Sequence, residues 1–208
     1  LKKPRNFTLP GTGMYRSDDA GETWQYIGLE DSWSIAEIAI HPTNPEIVMV
    51  AVLGHLWSKN RNRGLYKTIN GGKTWQQVLY KDDVTGVNDV VIAPSKPKIM
   101  YASTWEVYPS IKGKNSGVYR STNGGKTWTA CTNGLPSGDL VGRIGLAVSS
   151  TNHLKAYALV DNLHNLEGES AELYKTTDGG LTWTKTHSAP IYNFSVIGWY
   201  FTDVYVNP

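Results

Sequence analysis

The chain has 208 residues, with 20 basic and 18 acidic side chains and a formal net charge of +2. Because these charges are scattered along the chain, they exclude the concentrated basic surface that nucleic acid or an anionic membrane requires. No apolar run is long enough to cross a bilayer, and the single cysteine, Cys131, excludes an internal disulfide. The sequence opens at Leu1 without a charged-then-apolar signal, so we expect a mature or excised segment.

One eight-residue pattern occurs four times along the chain, and each copy follows an apolar–Tyr–basic triplet. The copies lie at residues 17–24, 68–75, 121–128 and 176–183 (SDDAGETW, TINGGKTW, STNGGKTW and TTDGGLTW). Their closing tryptophans are 51, 53 and 55 residues apart. A repeat at this period is the signature of a modular repeat fold.

The pattern predicts a hairpin turn that is fixed by its own side chains. Its third residue can accept hydrogen bonds from backbone N–H groups across the turn, and the glycine that follows can take positive φ. The closing indole supplies a large apolar plug. These structural residues are Asp19, Asn70, Asn123 and Asp178 with Trp24, Trp75, Trp128 and Trp183. Because Asn replaces Asp in two copies, we expect neither catalysis nor metal binding at these turns.

A second repeated unit lies between the turns and consists of two β-rich runs around a short polar turn. It occupies residues 38–51, 90–103 and 144–158, and residues 203–208 (DVYVNP) match its opening. Each period therefore holds about four short strands, which is the content of one propeller blade. We predict an all-β propeller of four-stranded antiparallel blades with Asp-box turns, which is part of a larger propeller.

The repeats also predict how the chain is divided. Residues 11–30 form the two outer strands of one blade, and residues 188–208 provide the first strand of a further blade. Complete blades occupy residues 31–80, 81–130 and 131–187.

At this point the sequence resembles the BNR/Asp-box superfamily, which includes sialidases, xyloglucan-acting glycoside hydrolases, photosystem-assembly-factor-like propellers and sortilin-type receptors. The phrases HPTNPEIVMVAVLGHLW, TWE at residues 104–106, LVGRIGLAV and GWYFTDVYVNP are most similar to large sortilin-like bacterial proteins labelled glycosyl hydrolases. The resemblance implies an extracellular, periplasmic or cell-surface location. It also implies further propeller blades as partners of this segment.

Candidate binding residues fall in the long loops on the propeller face opposite the Asp boxes, since loops on a rigid scaffold gather functional side chains. They are His55, Trp57, Trp105, Glu106, Tyr108, Asp161, His164 and Glu167. Aromatic rings beside carboxylates suit a polysaccharide, and they suit a peptide groove equally well. The alternative is that Trp57 and Trp105 cap the blade core and that His55 is structural. No histidine spacing suggests a metal site, and we expect no cofactor.

A second constellation lies at the entry of the innermost strands. Glu37, Asp89, Gly145 and Asp203 occupy one repeat position, with Arg143 two residues before Gly145. Two carboxyl groups at the same height along the propeller axis could act as general acid and base in cleaving a glycosidic bond. They could equally pair with Arg143 or accept backbone N–H groups. Glu37, Asp89, Glu106 and Asp203 are the catalytic candidates, and Arg143 is a candidate ligand-binding residue.

Three functions remain open on the sequence alone. The first is a secreted module that binds glycan or protein through the loop face. The second is a glycoside hydrolase, xyloglucanase-like or sialidase-like, whose active site is completed by blades outside this chain. No Arg-Ile-Pro segment precedes the first box, which argues against a sialidase. The third is a noncatalytic scaffold, so the sequence leaves enzymatic activity undecided.

Overall fold

The computed structural model describes residues 10–165, 170–189, 191 and 202–207. The first strands, β1 (Tyr15–Arg16) and β2 (Gln25–Tyr26), form a hairpin, and a short 3-10 helix at Glu30–Ser32 follows it. The remaining strands are β3 (Ile35–Ile40), β4 (Val48–Val52), β5 (Gly64–Thr68), β6 (Gln76–Leu79), β7 (Thr85–Ile92), β8 (Met100–Glu106), β9 (Gly117–Ser121), β10 (Thr129–Cys131), β11 (Val141–Val148), β12 (Ala156–Asn162), β13 (Ala171–Thr176) and β14 (Thr184–Lys185).

These strands build three four-stranded antiparallel sheets, β3–β6, β7–β10 and β11–β14, in which spatial order follows chain order. The first strand of each sheet meets the first strand of the next, since β3 contacts β7 and β7 contacts β11. The sheets therefore radiate from a common axis like the blades of a propeller. The predicted all-β propeller fold is confirmed.

The hydrophobic core lies between neighbouring sheets. Met49 and Leu65 of the first sheet pack in one buried cluster with Val87 and Met100 of the second. A second cluster joins Tyr101 and Val118 to the third sheet. Because each cluster spans two sheets, a blade buries its apolar face only against a neighbour.

The four predicted turns form their expected hydrogen bonds. The Thr23 N–H donates to Asp19 Oδ1 at 2.9 Å, and the corresponding threonines of the other three turns donate to Asn70, Asn123 and Asp178 at 3.0 Å. The Thr23 and Thr182 hydroxyls also donate to the carboxylates of Asp19 and Asp178. These hydroxyls, together with the N–H groups, favour the carboxylate form and lower the pKa of Asp19 to about 2 and that of Asp178 as well.

The closing tryptophans show where each turn meets its neighbour. The Trp75 indole donates to the Ile27 carbonyl at 2.7 Å, so it covers the end of the preceding hairpin. Trp128 packs against the first sheet and Trp183 against the second. Trp24 is 63% exposed, so its indole does not form the apolar plug that the pattern predicts for a closing tryptophan. The described residues provide no sheet before the first hairpin for its ring to cover.

The last predicted segment is described only in part. Residues 188–189, 191 and 202–207 are not assigned to a strand. Residues 192–201, which include Trp199 and the GWYF phrase, lie outside the described residues. Within the part of the chain that the structure does describe, no helix could span a membrane.

Candidate functional site

The innermost strands each carry a β-bulge near their entry. Register shifts occur between Ile35 and Glu37 in β3, between Val87 and Asp89 in β7, and between Val141 and Ile144 in β11. A bulge interrupts the alternation of side chains along a strand and re-aims the residue that follows. Both carboxylates that come directly after a bulge, Glu37 and Asp89, line the central cavity.

The cavity has a volume of about 390 Å³ and lies between β3, β7, β11 and residues 203–206. Its polar lining comprises Glu37, Asn88, Asp89, Arg143 and Asp203. Apart from Tyr205, the remaining walls are aliphatic, including Val90 and Leu146. The structure therefore brings together Glu37, Asp89 and Asp203, which the alignment of the repeats assigned to equivalent positions, and Arg143.

Asp89 is the carboxyl whose environment changes its chemistry most. One oxygen, Oδ2, accepts a hydrogen bond from the Leu146 N–H at 2.7 Å, which ties β7 to β11. Desolvation by the surrounding protein raises the pKa of Asp89 to about 7, and the negative charge of Glu37 adds to this while Arg143 opposes it. Near neutral pH, Asp89 therefore exists both with and without its proton.

Arg143 supplies the positive charge of the site and is only 4% exposed. Burial lowers its pKa, whereas the charges of Asp203, Asp89 and Glu37 raise it. Its guanidinium carbon also lies 5.8 Å from the centroid of the Trp105 ring. One buried cation thus faces three acidic side chains, which favours a shared proton on the most enclosed of them, Asp89.

Gly145 occupies the same repeat position as the carboxylates, and the structure explains its lack of a side chain. A Cβ at this position would lie 1.6 Å from the Thr202 carbonyl oxygen. The backbone of residues 202–203 therefore fills the space where a third-blade carboxylate would stand. Asp203 enters the cavity on that segment instead.

Two residues that sequence reasoning missed anchor this end of the cavity. Asn88 Nδ2 donates to the Ile144 carbonyl at 2.8 Å, and Ser103 Oγ donates to the same carbonyl at 2.7 Å. Both side chains are buried. These hydrogen bonds join the second blade to the third, so they fix the position of Asp89 relative to Arg143. The position of Asn88 beside Asp89 was the only signal in the sequence.

Trp105 is a core residue, which corrects its prediction as a ligand-binding residue. It is 1% exposed, packs with Ala36 and Leu53, and donates from its indole nitrogen to the Ile111 carbonyl at 2.6 Å. Its ring is therefore not available to stack on a ligand. The alternative reading, a cap on the blade core, describes it correctly.

Glu106 and Tyr108 lie outside the cavity lining. Glu106 Oε2 accepts a hydrogen bond from the Asn115 N–H at 3.1 Å, and the carboxylate lies against Gly113. This side chain organises its own loop, because its contacts are with residues 113–115. Tyr108 is half-buried.

His55 and Trp57 lie in a loop whose shape is fixed by a buried cation. The Arg63 guanidinium donates to the carbonyls of Leu53, His55 and Ser58. The His55 ring stacks on Trp33 with centroids 3.6 Å apart, and burial and the charge of Arg63 lower the pKa of His55. Trp57 is 57% exposed.

Trp33 was not predicted from the sequence, although it is 37% exposed beside His55. Its φ of 54° is unusual for a residue with a bulky side chain. This backbone conformation directs the ring onto His55, and no local motif indicates it. Trp33, His55 and Trp57 form what we call the loop-face aromatic group.

Asp161 is 1% exposed and lies against Gly142, and burial raises its pKa. It does not line the central cavity. His164 is exposed, and Glu167 lies outside the described residues. Within residues 10–165, 170–189, 191 and 202–207, no group of His, Cys, Asp and Glu side chains could hold a metal ion.

The radiating sheets and the bulged inner strands define a propeller module with an acidic cavity at its axis. The family model Sortilin-Vps10, described as sortilin, neurotensin receptor 3, matches residues 12–137, which is more than half of the chain. The chain belongs to the Sortilin-Vps10 family.

Curated relatives are named as enzymes. A xyloglucanase from Paenibacillus sp is 24% identical over 206 residues, which cover 86% of this chain and 19% of that protein. Xyloglucanase Xgh74A from Acetivibrio thermocellus is 31% identical over 162 residues, covering 64% of this chain and 18% of that protein. The chain thus spans about a fifth of the length of these relatives.

A solved structure gives the same picture of the fold. An ancestral GH74 enzyme superposes with a TM-score of 0.67 at 21% identity, covering 87% of this chain and 22% of the other. At this level of identity the similarity concerns the propeller fold.

Proposed function

We propose that this chain is part of a glycoside hydrolase that acts on a β-glucan such as xyloglucan, with Asp89 as its proton donor. The observation that carries the proposal is the half-buried carboxyl of Asp89, whose pKa is raised to about 7, in a cavity with Glu37, Arg143 and Asp203. Glycosidases need one carboxyl that keeps its proton near neutral pH and a second one that is ionised. Asp89 suits the first role, and Glu37 or Asp203 suits the second.

The chemistry follows from the charges around the cavity. Protonated Asp89 would donate to the glycosidic oxygen as the bond to the sugar breaks. An ionised Glu37 or Asp203 would stabilise the positive charge on the sugar, or activate water on the other face of the ring. Arg143 would hold the ionised carboxylate in place. Since the matched part of this chain covers only 18–19% of the named xyloglucanases, we propose that blades outside it complete the cleft.

The experiment that tests this proposal measures release of reducing ends from xyloglucan by the longer protein in which the outer blades complete the cleft. Asp89→Asn should lower the rate by at least about 100-fold, because it removes a general acid. Glu106→Gln is the matched control, since this carboxylate lies outside the cavity and should leave the rate within about twofold. Equal loss in both variants, or none in Asp89→Asn, would exclude the assigned role.

The pH dependence gives a second readout. The activity should fall as the pH rises past about 7, where Asp89 loses its proton. Glu37→Gln should remove the neighbouring negative charge and lower the pKa of Asp89. NMR titration of the Asp89 carboxyl measures this without relying on the activity, because Glu37 is itself a candidate for the ionised role. An Asp89 pKa that stays in place in this variant would contradict the assigned environment.

A noncatalytic binder is the second candidate, and the loop-face aromatic group favours it. Trp57 is 57% exposed and Trp33 is 37% exposed, and a sugar could stack on exposed indole rings. In affinity electrophoresis, this candidate predicts that immobilised xyloglucan retards the chain without releasing reducing ends. Trp57→Ala should abolish the retardation. A protein ligand would instead leave migration in xyloglucan unchanged.

We also propose that the protein works outside the cytoplasm or at the cell surface, because a polymeric glucan does not cross a membrane. Fractionation of the producing cells tests this, and recovery of the protein only from the cytoplasm would contradict it.

A further inference from the structure

The dipeptide Asn-Gly occurs three times in the chain, at residues 70–71, 123–124 and 133–134. Asn-Gly can react with itself: the glycine nitrogen attacks the side-chain amide carbon, its proton leaves with the amide nitrogen as ammonia, and a cyclic imide remains. Water then opens the ring at either carbonyl and gives aspartate or isoaspartate. Glycine favours the attack because no Cβ stands beside its nitrogen. The structure distinguishes the three pairs.

The pair in the second Asp box is held away from this reaction. The Asn70 amide accepts from the Thr74 N–H at 3.0 Å and donates to the Thr74 hydroxyl at 2.9 Å. The Gly71 N–H, which would have to lose its proton before attack, donates to the Glu46 carbonyl at 3.0 Å. The reaction would therefore break the hydrogen bonds of both partners.

The pair in the third Asp box has the same protection. The Asn123 amide accepts from the Thr127 N–H at 3.0 Å and donates to the Thr127 hydroxyl at 2.8 Å. The Gly124 N–H donates to the Lys98 carbonyl at 3.0 Å. Asn123 is exposed to water, so its hydrogen bonds, and not burial, restrain it.

The third pair lies in the loop between β10 and β11, where Asn133 and Gly134 are both exposed. Among the residues that the structure describes, no hydrogen bond is made by the Asn133 side-chain amide or by the Gly134 N–H. The amide is therefore free to rotate towards the glycine nitrogen, and that nitrogen is free to lose its proton to water. Both restraints found in the boxes are absent here.

This loop lies directly on the box of the third blade. The Asn133 carbonyl accepts a hydrogen bond from the Trp183 N–H at 3.0 Å. A Cβ on Gly134 would lie 1.9 Å from the Trp183 carbonyl oxygen, so the two backbones are in contact. Leu135 packs against the core cluster that contains Trp183. Residues 133–135 therefore belong to the contact between the second and third blades.

We propose that Asn133–Gly134 is a site of spontaneous deamidation, and that isoaspartate at this position opens the contact between the second and third blades at Trp183. Isoaspartate inserts one carbon into the main chain, a lengthening of about 1.5 Å. It also turns the carbonyl that accepts the Trp183 N–H into a carboxylate on a side branch. The aspartyl product keeps the main chain and its carbonyl, so it leaves the contact in place.

Peptide mapping by mass spectrometry tests the site after incubation of the folded protein at mildly alkaline pH. Asn133 should convert at least about tenfold faster than Asn70 or Asn123, because each protected pair must first open locally. In urea the three pairs should convert at similar rates, since all are Asn-Gly. Conversion of Asn133 no faster than that of the box residues in the folded protein would overturn the assignment.

Amide exchange at Trp183 tests the consequence in the same incubated protein. Exchange should become at least about tenfold faster in a fraction of molecules equal to the isoaspartate content of the peptide map. Asn133→Asp is the control for the added charge and should keep the slow exchange. Incubated Asn133→Gln should also keep it, because the longer side chain forms its cyclic imide far more slowly. Unchanged exchange in the isoaspartyl fraction, or equally fast exchange in Asn133→Asp, would overturn the proposed effect on the blades.

Discussion

Aspartates at the two ends of the blades have opposite acid strengths. Asp19 and Asp178 in the exposed turns accept hydrogen bonds from nearby N–H and hydroxyl groups, and their pKa values are lowered. Asp89 in the central cavity has one strong backbone donor, and desolvation raises its pKa to about 7. An aspartate is therefore an ionised structural group at the turn end of a blade and a titrating group near neutral pH at the cavity end.

The difference has a simple physical cause. A turn residue meets its donors within four positions of the chain and remains in contact with water, so its charged form is favoured on both counts. Asp89 meets its environment only when three blades enclose it. There, burial destabilises the charged carboxylate by more than the Leu146 hydrogen bond and the charge of Arg143 stabilise it. The following predictions test these two environments.

The largest expected effect is the pH dependence that Asp89 imposes on the free energy of unfolding. Its pKa rises from about 3.9 in the unfolded chain to about 7 in the folded protein, so the folded state binds this proton more tightly. The stability that results is fully present below about pH 4 and is lost as the pH rises through the folded value, a change of up to about 4 kcal/mol. Urea unfolding at about pH 4 and about pH 8 spans this window and measures the change.

Asp89→Asn keeps an acceptor for the Leu146 N–H but cannot titrate. This variant should lose less stability than the wild type between the two pH values, and equal losses would contradict a raised pKa.

Asp19 should give a pH dependence of the opposite sign. Because its pKa is lowered in the folded protein, its ionised form stabilises the fold above about pH 4, and this stability is lost as the pH falls towards about 2. The two ends of the blade therefore titrate in separate windows.

Gly145→Ala should destabilise the cavity end by about 3 kcal/mol, because its Cβ would meet backbone, which cannot rotate away. The clash would displace the segment that carries Asp203. Gly117→Ala is the matched control, since nothing lies within 4 Å of the added Cβ. Urea unfolding of both variants measures the difference. Similar stabilities would show that the backbone of residues 202–203 moves away from the added Cβ at little cost.

Asn123→Ala tests the turn end and should cost about 1–2 kcal/mol, because the N–H groups of Lys126 and Thr127 lose their side-chain acceptor. Asn123→Asp should retain the stability at neutral pH, since Asp178 makes the same contacts in the fourth turn. Thermal unfolding compares the two variants. A loss in Asn123→Asp as large as in the alanine variant would mean that the amide itself is needed.

The smallest effect is expected at Ala20, which adopts a φ of 58° where the other boxes have glycine. Ala20→Gly should relieve this strain and stabilise the first hairpin by about 0.5 kcal/mol, after allowance for the greater freedom of glycine in the unfolded chain. Amide exchange at Thr23, whose N–H the turn holds, reports the change. Gly124→Ala is the reverse control: it has φ of 72° with open space around it and should lose about 1 kcal/mol.

The turn hydrogen bonds could be predicted because each joins residues within four positions of one another. The repeat register also placed Glu37, Asp89, Arg143 and Asp203 together, since equivalent positions in successive blades face one axis. Trp105 could not be assigned in the same way. An indole at a strand end can point to solvent or to the core, and only its contacts with Ala36, Leu53 and Ile111 decide between them.

By itself, the sequence determined the propeller, its period and the exposed box turns, because these depend on local hydrogen bonding and on a pattern that repeats. Only the tertiary structure decided the acid strength of Asp89, the closeness of Gly145 to Thr202, the stacking of Trp33 on His55 and the exposure of Trp24. Each of these depends on what a neighbouring blade or a distant loop brings to the residue. Burial and packing arise between segments far apart in the chain, and no single repeat contains them.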